Sequence, residues 1–272
     1  MKIDGKKIAQ EIKSELRSDV ESCDKKINLD IVMVGSDRAS KSFIQRKVKF
    51  GKEIGVDVFL HKFDSDILQV ELEGQLSEIL RTSEGCIVQL PLPEHIDKKK
   101  ILDLVPADLD VDMLGSASYS SFESGTSSNY PPVAGAVREA LLSIDENLSG
   151  KNIVILGCGE LVGKPVSTWL KNKNIEHDIV DIDTGSETRK ELLRGADIII
   201  SGIGKPNSLT SSEIKDGVIL IDAGTSELKK RLVGDIYKDC YNRASFYTPV
   251  PGGIGPITVA ILFRNLINNV CK

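Results

Sequence analysis

The chain has 272 residues, of which 40% are hydrophobic and 28% are charged, as in ordinary globular proteins with buried cores. Its formal net charge of −5 argues against a general binder of nucleic acids or of anionic membranes. No apolar run has membrane-spanning length and the first residues contain no signal-peptide core, so we expect a cytoplasmic protein without a membrane partner.

Helical and strand patterns alternate along the chain, which predicts an α/β fold with largely parallel sheets. In the first lobe they predict, in chain order, a helix capped by Asp4, a strand at 29–34, a helix from Ser40 to Ile54, a strand at 56–63, a helix at 68–79 and a strand at 86–90. The segment 116–130 follows, in which seven of fifteen residues are serine. Its composition predicts a linker or an exposed loop.

The second lobe repeats the alternation of strands and helices. The pattern predicts a helix at 133–144, a strand at 152–156, a glycine turn at 157–163, a helix at 164–173, strands at 177–182, 196–201 and 218–222, and a last helix at 256–270. Strand, glycine turn, helix and strand form the βαβ unit of dinucleotide-binding domains. We expect the last helix to pack back against the first lobe.

Cysteines and histidines give little sign of a metal site or a disulfide. The five cysteines are odd in number and lack the paired spacing of zinc ligands: Cys23, Cys86, Cys158, Cys240 and Cys271. This pattern predicts reduced thiols and no disulfide framework. The three histidines are far apart in sequence, which argues against a histidine-based metal centre. We therefore expect no metal.

The glycine turn has the pattern GxGxxxG, formed by Gly157, Gly159 and Gly163, between a predicted strand and a predicted helix. Backbone N–H groups and the helix dipole at such a turn can hold a pyrophosphate. The same pattern also suits a tight turn in an α/β domain that binds no ligand. Further glycines follow the later strands and would let a cofactor lie across the sheet edge: Gly202, Gly204 and Gly224.

Two carboxylates near the end of the next strand bear on the choice of cofactor. Asp181 and Asp183 follow Gly157 by 24 and 26 residues. A carboxylate there accepts hydrogen bonds from a ribose 2′-hydroxyl and repels a 2′-phosphate, which favours NAD. Arg189 and Lys190 lie nearby in sequence and keep NADP as the alternative.

In the first lobe, Phe43 and Lys47 are four residues apart and share one helix face. An aromatic ring beside an amine can hold a flat heterocycle while the amine transfers protons, provided that burial or hydrogen bonding lowers its pKa. The alternative is a solvated face, because Lys47 lies within the basic stretch 46–49.

Two apolar segments are interrupted by prolines, 85–95 (GCIVQLPLPEH) and 248–258 (TPVPGGIGPIT). Prolines stop sheet pairing and hold a loop in shape, and glycines allow close approach to a flat ligand. Gln89 places a carboxamide inside the short strand of the first segment. Both segments also fit rigid loops without a ligand. The alternating acids at 108, 110 and 112 lack the glycine spacing of a calcium loop.

The chain resembles, nearly end to end, the bifunctional methylenetetrahydrofolate dehydrogenase/methenyltetrahydrofolate cyclohydrolase family. The two proline-containing segments are similar to the most specific motifs of that family. Further matching motifs are Val34-Gly35 with Ala39-Ser40, Lys47, Asp110-Val111-Asp112, Val162-Gly163-Lys164-Pro165 and Gly204-Lys205-Pro206. The resemblance implies a folate-binding catalytic lobe, 1–118, onto which 250–272 packs, and a Rossmann-like dinucleotide-binding lobe, 131–249. It also implies a cleft between the lobes and a homodimer.

The resemblance also implies roles for individual residues. Lys47 would be the catalytic lysine, Gln89 the amide that orients it, and Asp112 the residue that binds the pterin edge. Tetrahydrofolate derivatives would contact Phe43, Gln89, Leu90, Pro91, Asp112, Pro249, Pro251, Gly252 and Gly253. NAD or NADP would contact Gly157, Cys158, Gly159, Leu161, Val162, Gly163, Asp181, Asp183, Gly202, Gly204 and Thr225.

The implied reactions are hydride transfer from the methylene bridge of tetrahydrofolate to a nicotinamide, and hydrolysis of the resulting methenyl bridge to 10-formyltetrahydrofolate. The chain departs from the family where Phe43 replaces a tyrosine, which bears on the rate of hydrolysis. Two alternatives are a catalytically reduced or dehydrogenase-only folate-binding relative, and another nicotinamide dehydrogenase acting on a small acid. The second leaves both proline-containing segments unexplained.

Overall fold

The computed structural model describes residues 1–36, 38–228 and 231–271, and for residues 38 and 39 it describes the backbone. The chain divides into two compact units. We call the unit of Gln10–Pro132 and Val259–Lys272 the three-stranded unit, and the unit of Met1–Ala9 and Val133–Thr258 the five-stranded unit, after their sheets. The predicted α/β fold with parallel sheets is confirmed.

The three-stranded unit contains a parallel sheet in the order β2-β1-β3. Its elements are α1 (Gly5–Ser22, which begins in the other unit), β1 (Asn28–Val34), α2 (Arg38–Ile54), β2 (Asp57–Phe63), α3 (Gln69–Leu80), β3 (Cys86–Gln89), α4 (Lys98–Asp103) and α5 (Ser116–Glu123). β1 lies in the centre and is buried over six of its seven residues, as expected of a parallel strand covered on both faces. Met33 pairs with Gln89, which places Gln89 at the carboxyl end of β3.

The five-stranded unit contains a parallel sheet in the order β10-β7-β6-β4-β5. Its elements are α6 (Pro132–Leu142), β4 (Ile153–Leu156), α7 (Gly163–Asn172), β5 (Asp178–Val180), α8 (Ser186–Gly195), β6 (Ile198–Ser201), β7 (Ile219–Asp222), the antiparallel pair β8 (Ser226–Leu228) and β9 (Arg231–Val233), β10 (Phe246–Tyr247), and short 3-10 helices at Ser211–Glu213 and Lys238–Asn242. Strand order reverses at β4, and ligands of such sheets bind at the carboxyl end of the reversal. The glycine turn follows β4 directly.

The last helix, α9 (Ile254–Val270), joins the core of the three-stranded unit from residue 259 onwards. The ring of Phe263 is fully buried and stacks on Phe50 with centroids 5.1 Å apart. A Cβ on Gly85 would lie 2.5 Å from Leu266 Cδ1, so a side chain there would displace the buried Leu266 side chain where β3 approaches α9. Residues 250–258, which the sequence places with the first lobe, lie instead in the five-stranded unit.

The first nine residues also belong to the five-stranded unit. The Ile3 N–H donates to the Tyr247 carbonyl at 2.8 Å, and Lys2 forms a parallel bridge with the same tyrosine. A Cβ on Gly5 would lie 1.8 Å from the Gly253 carbonyl oxygen. This close backbone contact fixes the start of α1 against the turn at 249–253.

The prediction that 116–130 is a linker or exposed loop is wrong for its first half, which forms α5. Ser118 and Phe122 are four residues apart on its inner face, and both are buried. The Ser118 hydroxyl donates to the carboxylate of Asp110, and the Phe122 ring packs edge-on against Tyr130 at 5.8 Å. The serine-rich composition did not predict a helix, because serine has a low helix propensity. Here the hydrogen bond of Ser118 to a buried acceptor stabilises the helix despite that composition.

The prediction of five reduced thiols is also wrong. Cys23, just after α1, and Cys271, just after α9, form a disulfide with their Cα atoms 5.8 Å apart. The other three cysteines are free. A separation of 248 residues carries no spacing signal, so only the return of α9 to the three-stranded unit reveals the pair.

Candidate active site

Lys47 lies on the buried face of α2, in line with Ile44 and Ile54, and its side chain is 8% exposed. Its neighbours Arg46 and Lys49 are exposed. The solvated-face alternative is therefore wrong for Lys47, although it holds for the rest of the basic stretch.

The amine of Lys47 has a specific partner at the end of β3. Its Nζ donates to Gln89 Oε1 at 3.2 Å, and Gln89 Nε2 donates to the Leu90 carbonyl at 2.9 Å. The second hydrogen bond fixes the amide so that its oxygen faces the lysine. The Leu90 carbonyl also accepts from the Ser40 hydroxyl at 3.3 Å, which ties this loop to α2.

Burial lowers the pKa of Lys47 from its ordinary value, and the negative charge of Asp112 opposes this shift. Burial disfavours the charged ammonium, since a low-dielectric environment solvates a charge poorly. A lowered pKa brings the amine closer to the range in which it exchanges protons near neutral pH.

Asp112 is half-buried and follows a loop held from several sides. The Val111 carbonyl before it accepts from Asn265 Nδ2 at 2.9 Å. Asp110 is buried, accepts from the Gly115 N–H at 2.8 Å, and has its pKa raised by burial. These contacts hold the backbone on either side of Asp112. The role of Asp110 is therefore structural.

Phe43 lies one turn before Lys47 on α2 and is half-buried. The guanidinium of Arg46 stands 5.3 Å from the centroid of its ring, a cation–π contact. Leu90 is half-buried and Pro91 exposed, and the peptide bond between them is cis. In the three-stranded unit the structure thus brings Lys47 and Gln89 into contact and places Asp112 near enough to affect the lysine electrostatically.

The other predicted folate-binding residues form a compact turn in the five-stranded unit. The Gly253 N–H donates to the Pro249 carbonyl at 2.7 Å, and the bond before Pro251 is cis. Gly252 has a φ of 107°, which favours glycine, and Thr248 before the turn is fully buried.

The glycine turn after β4 brings backbone segments into close contact. Gly157 has a φ of 87°, and a Cβ on Gly163 would lie 1.8 Å from the Gly157 carbonyl oxygen. A Cβ on Gly202 would lie 2.2 Å from Val162 Cγ1, so glycine is also needed where the loop after β6 meets this turn. α7 begins at Gly163, with its N-terminus at the turn. Glycines in close backbone contact at a helix N-terminus fit a dinucleotide pyrophosphate. Cys158, Gly159 and Leu161 are exposed on the turn.

Asp181 and Asp183 are exposed after β5. Asp181 Oδ1 accepts from the Thr184 hydroxyl at 3.0 Å and from the Asp183 N–H at 3.1 Å. Arg189 and Lys190, the two cations that could receive a 2′-phosphate, bind other residues of the protein. Arg189 Nη2 donates to Glu213 at 3.0 Å and to the Ser208 carbonyl at 3.1 Å, and Lys190 pairs with Glu187 at 2.8 Å.

The remaining predicted cofactor residues lie on the loops after β6 and β7. Gly204 has a φ of 73°, and its carbonyl accepts from the Ser226 hydroxyl at 2.9 Å. Thr225 is exposed on the second loop. Two buried acids beneath these loops, Asp222 and Asp235, were not predicted from the sequence. An acid enclosed by apolar residues, as Asp235 is in VGDI, is a signal that could have identified it.

In the part of the chain that the structure describes, no cluster of three or more histidine, cysteine, aspartate or glutamate side chains is arranged to hold a metal ion. In the same residues, no helix combines the length and apolar character needed to cross a membrane.

Comparison with known proteins identifies the family. Residues 3–112 match the model of the tetrahydrofolate dehydrogenase/cyclohydrolase catalytic domain, and residues 131–272 match that of the family's NAD(P)-binding domain. The chain belongs to the tetrahydrofolate dehydrogenase/cyclohydrolase family. The prediction of this family, and of an enzyme with its two activities, is confirmed.

Relatives of this family match over nearly the whole chain. The bifunctional protein FolD of Clostridium novyi is 34% identical over 273 residues, covering 98% of both chains, and that of Bacillus subtilis is 32% identical over 274 residues, covering 98% of this chain and 96% of the relative. The crystal structure of the bifunctional enzyme from Campylobacter jejuni has a TM-score of 0.94 at 31% identity, covering 99% of this chain and 98% of the other. The Trypanosoma brucei enzyme, solved with NADP and an inhibitor, has a TM-score of 0.93 at 30% identity, covering 99% and 97%.

Proposed function

We propose that this protein oxidises 5,10-methylenetetrahydrofolate to 5,10-methenyltetrahydrofolate and hydrolyses that product to 10-formyltetrahydrofolate, as part of one-carbon metabolism and purine biosynthesis. The three-stranded unit would bind the folate and the five-stranded unit the nicotinamide nucleotide. The observation that carries the proposal is the buried amine of Lys47, held by an oriented amide and near a carboxylate.

In the hydrolytic step, Lys47 moves a proton. The oxygen of water bonds to the one-carbon bridge, the bond from that carbon to N5 breaks, N5 takes one proton, and the other is released. The neutral amine accepts the proton that leaves the attacking water, and its lowered pKa makes the neutral form accessible. Gln89 Oε1 keeps the amine in position.

Other residues of the proposed site bind and orient the folate. Phe43 provides a ring on which a flat heterocycle stacks, and the Asp112 carboxylate accepts hydrogen bonds from the pterin edge. Leu90 and Pro91 continue the surface from Gln89. We also assign folate contacts to the rigid turn that contains Pro249, Pro251, Gly252 and Gly253.

The nucleotide supplies the hydride acceptor when it is bound, and the protein supplies alignment. We propose NAD as the preferred cofactor. Asp181 and Asp183 are exposed where they would meet an adenosine ribose, and Cys158 and Gly159 carry no positive charge to receive a 2′-phosphate. The engagement of Arg189 with Glu213 and Ser208 supports the same preference.

A spectrophotometric assay tests the proposal. Purified protein is given methylenetetrahydrofolate with NAD or NADP, and separately methenyltetrahydrofolate without nucleotide. We expect hydride transfer in the first assay and loss of the methenyl absorbance in the second. Hydride transfer without hydrolysis would identify the dehydrogenase-only alternative, and absence of both reactions would overturn the proposal.

We further propose a homodimer formed through β2. This strand is at the edge of its sheet and exposes Phe59 and Leu60, which are 48% and 47% accessible, and Val48 on the adjacent α2 is also exposed. An apolar edge strand of this kind pairs readily with a second copy. Light scattering after size exclusion should give a dimer mass for the wild type and a monomer mass for Phe59→Lys. A monomeric wild type would contradict the proposal.

The expected cytoplasmic location stays a prediction, which cell fractionation checks. The disulfide between Cys23 and Cys271 is unusual for a reducing compartment.

A further inference from the structure

Two acids that the reaction does not use are buried beneath the loops after β6 and β7. Asp222 is 1% exposed and Asp235 is 0% exposed. Asp235 Oδ2 accepts three hydrogen bonds, from Ser201 Oγ at 2.9 Å, from the Ile203 N–H at 2.8 Å and from the Gly204 N–H at 3.2 Å. One carboxylate oxygen therefore holds the last residue of β6 and two N–H groups of the loop that follows it.

Asp222 holds the neighbouring segments in a similar way. Its Oδ1 accepts from the Gly224 N–H at 3.1 Å and from the Asp235 N–H at 3.2 Å, and its Oδ2 accepts from the Ile236 N–H at 2.9 Å. The Asp222 N–H donates to the hydroxyl of buried Thr248 at 2.7 Å. This connects the loop after β7 to the turn that begins at residue 249.

Two glycines lie against these acids. Gly224, two residues after Asp222, is close to Asp235, and Gly234, directly before Asp235, is close to Asp222. A Cβ on Gly224 would lie 2.1 Å from Asp235 Cγ, and a Cβ on Gly234 would lie 2.0 Å from Asp222 Oδ2. Side chains at either glycine would displace a carboxylate. Both glycines therefore maintain the positions of the two acids, in addition to any contact of Gly224 with a ligand.

We propose that Asp235, supported by Asp222, is a positioning residue of the dehydrogenase reaction, which sets the backbone of loops 202–204 and 224–225 for the nicotinamide nucleotide. The inference rests on the cofactor site proposed above. Because Asp235 is fully buried, it acts through these loops and not by contact with the nucleotide. The two N–H groups that it holds belong to Ile203 and to the predicted cofactor residue Gly204.

The test compares Asp235→Ala with the wild type in three measurements. Nucleotide affinity by calorimetry without folate should fall about 10- to 100-fold, the scale of lost hydrogen bonds to a charged group. KM for the nucleotide should rise by a similar factor, while hydrolysis of methenyltetrahydrofolate without nucleotide stays within about twofold of the wild type. Hydrogen exchange at the amides of Ile203 and Gly204 should become faster.

Asp239→Ala is the matched control. Asp239 also accepts from a serine hydroxyl and a backbone N–H, those of Ser211 at 2.7 and 3.3 Å, but holds a segment that we do not assign to cofactor binding. This variant should leave nucleotide affinity unchanged. If Asp235→Ala does not fold, Ser201→Ala removes one of the three donors and should raise the nucleotide KM several-fold.

Unchanged nucleotide affinity in folded Asp235→Ala, or an unchanged KM in Ser201→Ala, would overturn the inference. An equal loss of nucleotide binding and hydrolysis would also overturn it, since that pattern indicates general destabilisation. If the wild type itself neither binds nucleotide nor transfers hydride, the proposed function fails instead, and the two failures are distinguished.

Discussion

The amine of Lys47 and the amide oxygen of Gln89 lie 3.2 Å apart, one on the buried face of α2 and the other at the carboxyl end of β3. The helix supplies the proton-carrying group and the sheet supplies its orientation. The position of the lysine is therefore set by a hydrogen bond between two regular elements, which hold a functional group more precisely than a loop does.

Replacing Lys47 by methionine should lower the rate of methenyltetrahydrofolate hydrolysis about 100-fold or more, the scale of a lost general acid–base group. Methionine keeps the apolar stem and removes the amine. Stopped-flow absorbance of the methenyl compound measures the rate. Lys49→Met is the control, because Lys49 is exposed two residues further along the same helix. Hydrolysis near the wild-type rate in folded Lys47→Met would show that the assignment is wrong.

The same substitution should stabilise the fold in a pH-dependent way. Burial lowers the pKa of Lys47 in the folded state below the ordinary value of about 10.4. Below the folded pKa the wild type carries the full cost of a buried ammonium, and this cost decreases as the pH rises from the folded pKa towards the unfolded one. Thermal melting should therefore show a higher Tm for Lys47→Met at neutral pH, with a gain that shrinks in alkaline buffer. A gain that is constant with pH would contradict this.

Phe43→Tyr should leave the rate of hydrolysis unchanged or raise it, with little loss of folate affinity. Both rings stack, whereas only tyrosine can donate a hydrogen bond near Lys47. Steady-state hydrolysis and folate titration measure the two effects. Any gain should disappear when Phe43→Tyr is combined with Lys47→Met, because it acts through the amine. A large loss of folate affinity would show instead that the site is built around phenylalanine.

The protein should use NAD with a kcat/KM at least about tenfold higher than with NADP. A carboxylate some 4–6 Å from a 2′-phosphate is repelled by about 3–4 kcal/mol at an effective dielectric near 20, and solvent screening reduces this at exposed Asp181 and Asp183. Asp181→Ser and Asp183→Ser should each be measured with both nucleotides. We expect at least one of them to improve NADP relative to NAD. The preference is refuted by a wild type that favours NADP.

Reduction of the disulfide should lower the Tm, since a cross-link that closes a long loop stabilises by about 2–4 kcal/mol. Melting with and without dithiothreitol should show this shift in the wild type, and Cys23→Ser should melt at the lower temperature in both buffers. Cys158→Ser is the control, because Cys158 is an exposed free thiol. Titration of the denatured, unreduced protein should detect three thiols, and a count of five would contradict the disulfide.

The sequence alone predicted the structural features that depend on a short stretch of residues. Alternation of strands and helices predicted the α/β fold, and GxGxxxG predicted the turn after β4, because both patterns report backbone geometry within a short stretch. The face shared by Phe43 and Lys47 followed from helical spacing. Whether Lys47 is solvated or buried could be decided only from the structure, in which Gln89 at the end of β3 accepts its hydrogen bond.

The features that the sequence analysis missed depend on contacts between distant residues. Asp235 becomes significant only when its neighbours are known to be Ser201, Ile203 and Gly204, some thirty residues earlier in the chain. Cys23 and Cys271 meet because α9 returns to the three-stranded unit. Helix α5 forms because Ser118 finds a buried acceptor in Asp110, which overrides its unfavourable composition.

The hydrogen bond from Asn265 to the Val111 carbonyl has a consequence for how the polypeptide can be divided. Each unit is interrupted by the other, because the five-stranded unit contains Met1–Ala9 and Val133–Thr258 and the three-stranded unit contains Gln10–Pro132 and Val259–Lys272. No single cleavage of the chain therefore releases both units intact, and a nascent chain lacks this support for Asp112 until the nucleotide-binding unit has been synthesised. Gene fission can separate two activities that are encoded in tandem. Here a break between α6 and α9 would separate α9 from the other elements of the three-stranded unit.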